Sequence, residues 1–299
     1  MPIVAELPLT YSQVVDEIVA LTDIPRAEVE HRVWQEALQI GWNVARDVQT
    51  FDVHPHRYDA NMERLYREGD GFIFESLVHW ARSRRQKWIE QTLERIRRFA
   101  RQEGVAPERL SILALGDGAG SDSLYLAFNG CAVDYFDVPG SRTFEFALRR
   151  FDRYGVLNTR INVLPDDPLR GSRQYDLVVS FEVLEHLPHP PTAAGDIARV
   201  LRPGGLALIT ESFSAVNDQF PTHLATNARY EGQTPFLFLR HGMALSWYSL
   251  DPLFKPMEFC KENGHGRAGS MRLLSDFRVM RAYQHGVRQH LVASLRRRN

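Results

Sequence analysis

The sequence predicts an α/β protein, a mostly parallel sheet with helices on both faces, preceded by an all-helical region. Three observations carry that prediction. Beyond Leu110, short apolar, β-rich runs (LSILAL, CAVDYFDV, INVLP, YDLVVSF, GLALIT) alternate with helical segments. That alternation marks strands buried on both faces by crossover helices. Before Leu110 only helical texture is present. The chain of 299 residues, 44% hydrophobic and 24% charged, is long enough for one large core plus an appendage.

The helical region comes first. Ser12 is placed to cap SQVVDEIVALTD, and IPRAEVEHRVWQEALQIG has Pro25 in its first turn and Gly41 at its end. From Arg82, Ile89, Leu93, Ile96 and Ala100 recur at helical spacing, and Gly104 and Pro107 end the run. The many arginines of this helix read as a solvated face with Glu90 and Glu94 as partners, since the formal net charge of −1 gives no global pull toward nucleic acid. GDGFIFESLVHWARS, residues 69–83, is rich in aromatics. Its Phe72, Phe74, His79 and Trp80 either face a ligand or form an apolar seam.

In the second region, ILALGDGAGSDSLYLAFNG runs from an apolar strand through Gly116, Gly118 and Gly120 into a helix. Such a turn lets a ligand approach the backbone and offers free N–H groups at the helix N-terminus. The spacing is not that of dinucleotide-binding dehydrogenases, because Ser121 and Ser123 stand where their last glycine would fall. Two cysteines, Cys131 and Cys260, form neither a disulfide framework nor a zinc pattern. The stretch MPIVAELPLT, with no basic region and no long apolar run, is not expected to act as a signal peptide, no apolar run reaches membrane length, and a cytoplasmic protein is expected.

The G-x-G-x-G turn, Asp137 seventeen residues beyond Gly120, LPDDPL, YDLVVSFEVLEHLPHP and ARVLRPGGLALIT stand in the order found in class I S-adenosylmethionine-dependent methyltransferases. Residues 108–212 resemble that family, in its small-molecule branch. The resemblance implies a Rossmann-like, seven-stranded sheet, with GSMRLLSDFRVMRAY (269–283) supplying the last two strands. It implies S-adenosylmethionine bound by Gly116, Asp117, Gly118, Gly120, Asp137, Val138, Asp166, Asp167, Glu182 and Val183, leaving S-adenosylhomocysteine as product. One departure is Ala114, where the family commonly has an acid. Asp117 either replaces that acid or only stabilises the turn. Glu185 and His186 read as scaffold.

Residues 1–105 are then a helical cap or lid, and residues 106–299 the cofactor-binding domain, with a substrate roof inserted at 211–255. That roof sets polar groups among aromatics, as a small-molecule pocket requires. His223 is the expected general base, with Glu211 or Tyr230 orienting the acceptor. A divalent ion on Glu211, Asp218, His223 and His241 is the alternative, though their spacing matches no strong metal motif. The expected activity is methylation of a small molecule in biosynthesis, on oxygen first, with nitrogen or carbon as further options. No nucleic-acid or membrane partner is expected, and a homodimer is allowed. The arginine-rich helix favours an RNA or protein methyltransferase as the alternative, and Ala114 favours a non-catalytic scaffold.

Overall fold

The structure, a computed structural model, describes residues 7, 9–250 and 255–261. Six helices open the chain: α1 (Tyr11–Leu21), α2 (Arg26–Leu38), α3 (Trp42–Thr50), α4 (Ala60–Glu68), α5 (Gly71–Trp80) and α6 (Ser83–Glu103). The cap of α1 is Thr10 rather than Ser12. Its hydroxyl accepts from Gln13 N while the Gln13 side chain returns to Thr10 N, a reciprocal capping box. Gly41 stands at the N-cap of α3 with φ +88°. Gly104 caps α6 in the left-handed conformation.

The sheet follows: β1 (Ile112–Leu115), β2 (Val133–Phe136), β3 (Ile161–Val163), β4 (Tyr175–Phe181), β5 (Leu201–Thr210), β6 (Met243–Tyr248) and β7 (Met257–Lys261). Its order is β3-β2-β1-β4-β5-β7-β6. The first five strands pair in parallel, and β7 pairs antiparallel with both β5 and β6. Between them lie α7 (Ser121–Phe128), α8 (Arg142–Arg153), α9 (Pro190–Val200) and α10 (Thr234–Leu239). The sixth and seventh strands of the described sheet are thus residues 243–248 and 257–261, and residues 269–283, expected to supply the last two strands, lie outside the described residues. Residues 243–248, expected as roof, form the edge strand β6 instead.

Side chains alternate across the sheet. Ile112 and Ala114 face Ile89, Leu93 and Ile96 of α6, whereas Leu113 and Leu115 join Ala194 and Ile197 of α9 and Phe238 of α10. Helix α6 thus belongs to the core of the sheet. The arginines of α6 are also less solvated than the sequence suggests. Arg85 is buried and pairs with Asp122, and Arg95 makes a two-pronged contact with Glu258 at 2.6 and 2.7 Å.

The remaining cap helices have their own apolar core. Val14, Ile18, Val29, Val33, Phe74 and Leu77 pack together with Ala119 of the glycine turn and Phe146 of α8. Under it lies a polar core in which Arg32 bonds Asn43 and Asp70, and Asn43 bonds Glu36. Phe74 sits beneath the Arg32 guanidinium at 3.8 Å and belongs to this seam. No described helix is long and apolar enough to cross a membrane.

Candidate active site

The first turn after β1 reverses sharply. Gly116, Gly118 and Gly120 have φ of +73°, +54° and +76°, which side-chain-bearing residues rarely adopt. A Cβ on Gly116 would stand 2.5 Å from Val183 Cγ2, so the segment just after β4 can approach the turn only because that atom is missing. A Cβ on Gly118 would meet nothing nearer than 3.8 Å. At that distance it would make ordinary van der Waals contact with Ser76 and Thr143.

Carboxylates hold the turn. Asp117 accepts from Asp122 N at 3.0 Å and Ser123 N at 2.7 Å, capping α7, and burial with the neighbouring Asp122 pushes its carboxyl up to about 7. Asp137, at the end of β2, accepts from Gly118 N and Val138 N at 2.7 Å each, and burial raises its carboxyl. Asp122 receives the Trp80 indole N–H at 2.9 Å as well as Arg85. From α8, Arg150 is fully buried. It donates to Ala119 O, to Ser121 Oγ and to Glu17 of the cap.

These elements border a cavity of about 1350 Å³ at the carboxyl ends of β1, β2 and β4. This is where open α/β sheets bind ligands. Gly116, Asp117, Gly118, Asp137, Val138, Asp167, Glu182 and Val183 line it, as do Glu211 and His223. Gly120 does not, since a Cβ there would press on Phe151. Asp166 is exposed and does not line the cavity, while Asp167 bonds Leu169 N. The cap contributes Tyr66, Phe72, Glu75, His79 and Trp80. Burial, with Glu36 and Glu182 nearby, drives Glu75 up to about 8, and burial beside Arg85 drives His79 down to about 4.

The expected catalytic trio is only partly assembled. Glu211 accepts from Phe213 N at 2.9 Å and Thr234 Oγ1 at 2.7 Å, and burial raises its carboxyl. Tyr230 packs against Phe213 rather than lining the cavity. His223 stacks on Phe220 and meets His186 edge-on at 4.8 Å between ring centroids. Burial and His186 drive its imidazole down to about 3, so it is neutral near pH 7. The four residues weighed as metal ligands do not converge, for His241 instead contacts Pro191 O.

Two groups carry no sequence signal, Lys255 and Tyr66, and Glu185 reads there as scaffold. Lys255 Nζ lies 2.7 Å from both Glu182 Oε1 and Ser212 Oγ. Burial opposes ionisation of Glu182, but Lys255 outweighs it and holds the carboxyl at about 2. Tyr66 Oη lies 3.0 Å from His186 Nδ1, and burial lowers His186 to about 4. Glu185 is fully buried with neither carboxylate oxygen bonded, and burial beside Glu182 holds its carboxyl well above the usual range. The tandem Glu185-His186 was visible as sequence, but its convergence with His223 was not.

A family described as methyltransferase domain matches residues 80–265. The chain belongs to that family. As a methyltransferase domain it is similar to the ubiquinone biosynthesis O-methyltransferase of Psychrobacter cryohalolentis, 27% identical over 139 residues, 44% of this chain and 54% of that protein. The enzyme of the same name from Aromatoleum aromaticum is 27% identical over 124 residues, 42% of this chain and 50% of that one. The chain thus spans about half the length of the curated relatives it matches. Among solved structures, DszA carbon methyltransferase superposes with a TM-score of 0.52 at 15% identity, over 81% of this chain and 71% of that one, which shows the methyltransferase fold. S-adenosylmethionine is the cofactor of this class, and the residues present fit it. Gly118, which has no side chain, and Asp137 both border the cavity.

Proposed function

We propose that the protein transfers a methyl group from S-adenosylmethionine to an oxygen of a small biosynthetic acceptor. The observation that carries this reading is the single cavity bordered by the glycine turn, the His186–His223 pair and aromatic residues of the cap. The turn from Gly116 to Gly118 and the end of β2 would hold the cofactor, Asp137 toward its ribose and Asp167 with Val183 toward its adenine. When bound, the cofactor supplies a methyl carbon already activated by the adjacent sulfonium.

What the chain must add is alignment, exclusion of water and a place for the acceptor's proton. Alignment alone supplies much of the rate. Phe72, stacked on Tyr66 at 5.1 Å, and Trp88 give the acceptor apolar walls. His223 is neutral near pH 7, with one ring nitrogen's lone pair left to accept a hydrogen bond from the acceptor; its imidazole, lowered to about 3, is a weak base and orients the acceptor's O–H rather than storing its proton. Oxygen is favoured as the attacking atom because the curated relatives reported above are O-methyltransferases.

Calorimetric titration with S-adenosylmethionine and S-adenosylhomocysteine tests the reading. Micromolar binding that vanishes in Gly118→Arg is expected, because the new side chain would enter the cavity. Absence of binding to either would instead favour a non-catalytic scaffold. With binding in hand, a screen of phenolic and other hydroxyl acceptors for methyl incorporation tests the attacking atom.

A further inference from the structure

We propose that Glu75, on helix α5 of the cap, anchors the ammonium group of a ligand bound in the cavity. The proposal deepens the methyltransferase reading above and rests on it for the source of that group. The ammonium belongs either to the amino-acid end of the cofactor or to an acceptor that carries an amine.

Helix α5 puts Phe72, Glu75, Ser76 and His79 into the cavity wall, a spacing that places them on one face. That face passes close to the glycine turn. A Cβ on Gly118 would stand 3.8 Å from Ser76 Cβ and 4.0 Å from its Oγ. Phe72, one turn before Glu75, stacks on Tyr66 at 5.1 Å, and both rings border the cavity. A carboxylate set among aromatic rings is the chemistry that recognises an ammonium, through charge-assisted hydrogen bonds and cation–π attraction.

Glu75 differs from the carboxylates around it. Glu36, on α2, accepts from Gly41 N, from Asn43 N at 2.9 Å and from Asn43 Nδ2 at 2.7 Å. Glu182, after β4, accepts from Lys255 Nζ at 2.7 Å and from Ser212 Oγ at 2.5 Å. Glu75 has no hydrogen bond and no ion pair among the described residues, and the charges that act on it are those of Glu36 and Glu182. Lys255, Arg85 and Arg82 border the same cavity but are already engaged, on Glu182, Asp122 and the Ala37 carbonyl. Tyr66 and His79, the other titratable groups on this wall, are held neutral near pH 7 by burial.

Burial and two like charges thus leave the free Glu75 side chain protonated near pH 7, its carboxyl standing at about 8. A ligand ammonium supplies the opposite charge that the wall lacks. It makes the carboxylate the favoured form, so binding expels the proton to solvent.

The test is calorimetry at pH 7 in phosphate and in Tris, whose ionisation heats differ. The probes are S-adenosylhomocysteine, its analogue lacking the amino group, and tyramine against 4-ethylphenol on the S-adenosylhomocysteine-saturated chain. If the cofactor supplies the ammonium, Glu75→Gln binds S-adenosylhomocysteine at least tenfold more weakly than wild type and the deaminated analogue equally well. If the acceptor supplies it, Glu75→Gln leaves both adenosyl ligands unmoved and binds tyramine at least tenfold more weakly, with 4-ethylphenol unaffected. In either arm wild type releases about one proton more than the variant. A substitution that moves neither S-adenosylhomocysteine nor tyramine overturns the proposal. A wild type that binds neither adenosyl ligand overturns the methyltransferase reading instead, and tyramine, titrated into the ligand-free chain, then decides the proposal alone. Binding of the deaminated analogue also reports that the variant is folded. Should the variant fail that control, proton release by wild type decides: about one proton is expected, and none overturns the proposal.

Discussion

Two parts of the cavity's surroundings, the glycine turn and the histidine pair, are built on opposite principles. At the glycine turn, Asp117, Asp122 and Asp137 each receive protein donors, and Arg150 ties the turn to the cap. At the histidine pair, Glu185 is buried with no donor at all, and His223 Nδ1 has none either. The first part is pre-organised to hold a shape, while the second keeps polar capacity unspent. A protein stabilises the scaffold of a site and leaves the reacting part unsatisfied, because a group already bonded within the fold has nothing left for a ligand.

The sharpest way to break the comparison is Arg150→Met. It strands Glu17 inside the seam between cap and sheet and frees the Ala119 carbonyl. Removing one partner of a buried pair costs about 3–5 kcal/mol. Urea denaturation should show that loss, with cofactor affinity falling as the turn loosens. A variant as stable as wild type would mean that the cap does not support the turn.

Next in size is Gly116→Ala. The left-handed backbone costs a side-chain-bearing residue about 1–2 kcal/mol, and Val183 must also move. Cofactor affinity should fall roughly tenfold or more, since each 1.4 kcal/mol is a factor of about ten. Calorimetry with S-adenosylhomocysteine reads this directly.

The same contrast explains what the sequence could reveal. The turn was legible because its function is local: three glycines, a strand before them and a helix after, all within Ile112–Phe128. The parallel sheet was legible for the same reason, strand by strand. The histidine pair was not, because Glu185 and His186 meet His223 only through the path of the roof, and spacing carries no trace of that path. Lys255 was missed because its partner Glu182 is 73 positions away. The edge strand β6 was missed because MALSWY, following an aromatic-rich stretch, read as pocket lining. Its strand character comes from pairing with β7, a tertiary choice that overrides local texture.

Glu185→Met sharpens the comparison by its sign. It replaces an unbonded buried carboxyl by an apolar chain of similar size, and stability should rise by about 1–2 kcal/mol. The same kind of change at Arg150 lowers it. A loss at Glu185 would show that its oxygens are satisfied in solution, and the two parts would then differ less than their geometry indicates.

The smallest effect belongs to Glu75, on the part of the cavity wall that the cap contributes. Its carboxyl is raised to about 8 by burial, with Glu36 and Glu182 adding to the shift. Between the ordinary carboxylate range and about 8, the folded chain therefore binds more protons than the unfolded one, and stability falls as pH rises through that window. Glu75→Gln removes this slope. The variant should match wild type below pH ~4 and exceed it by about 1 kcal/mol above pH ~8, the full shift being reduced by water in the cavity. Thermal melts across that range check it. Parallel curves for the two proteins would mean that Glu75 ionises freely, as it would if water fills the cavity beside it.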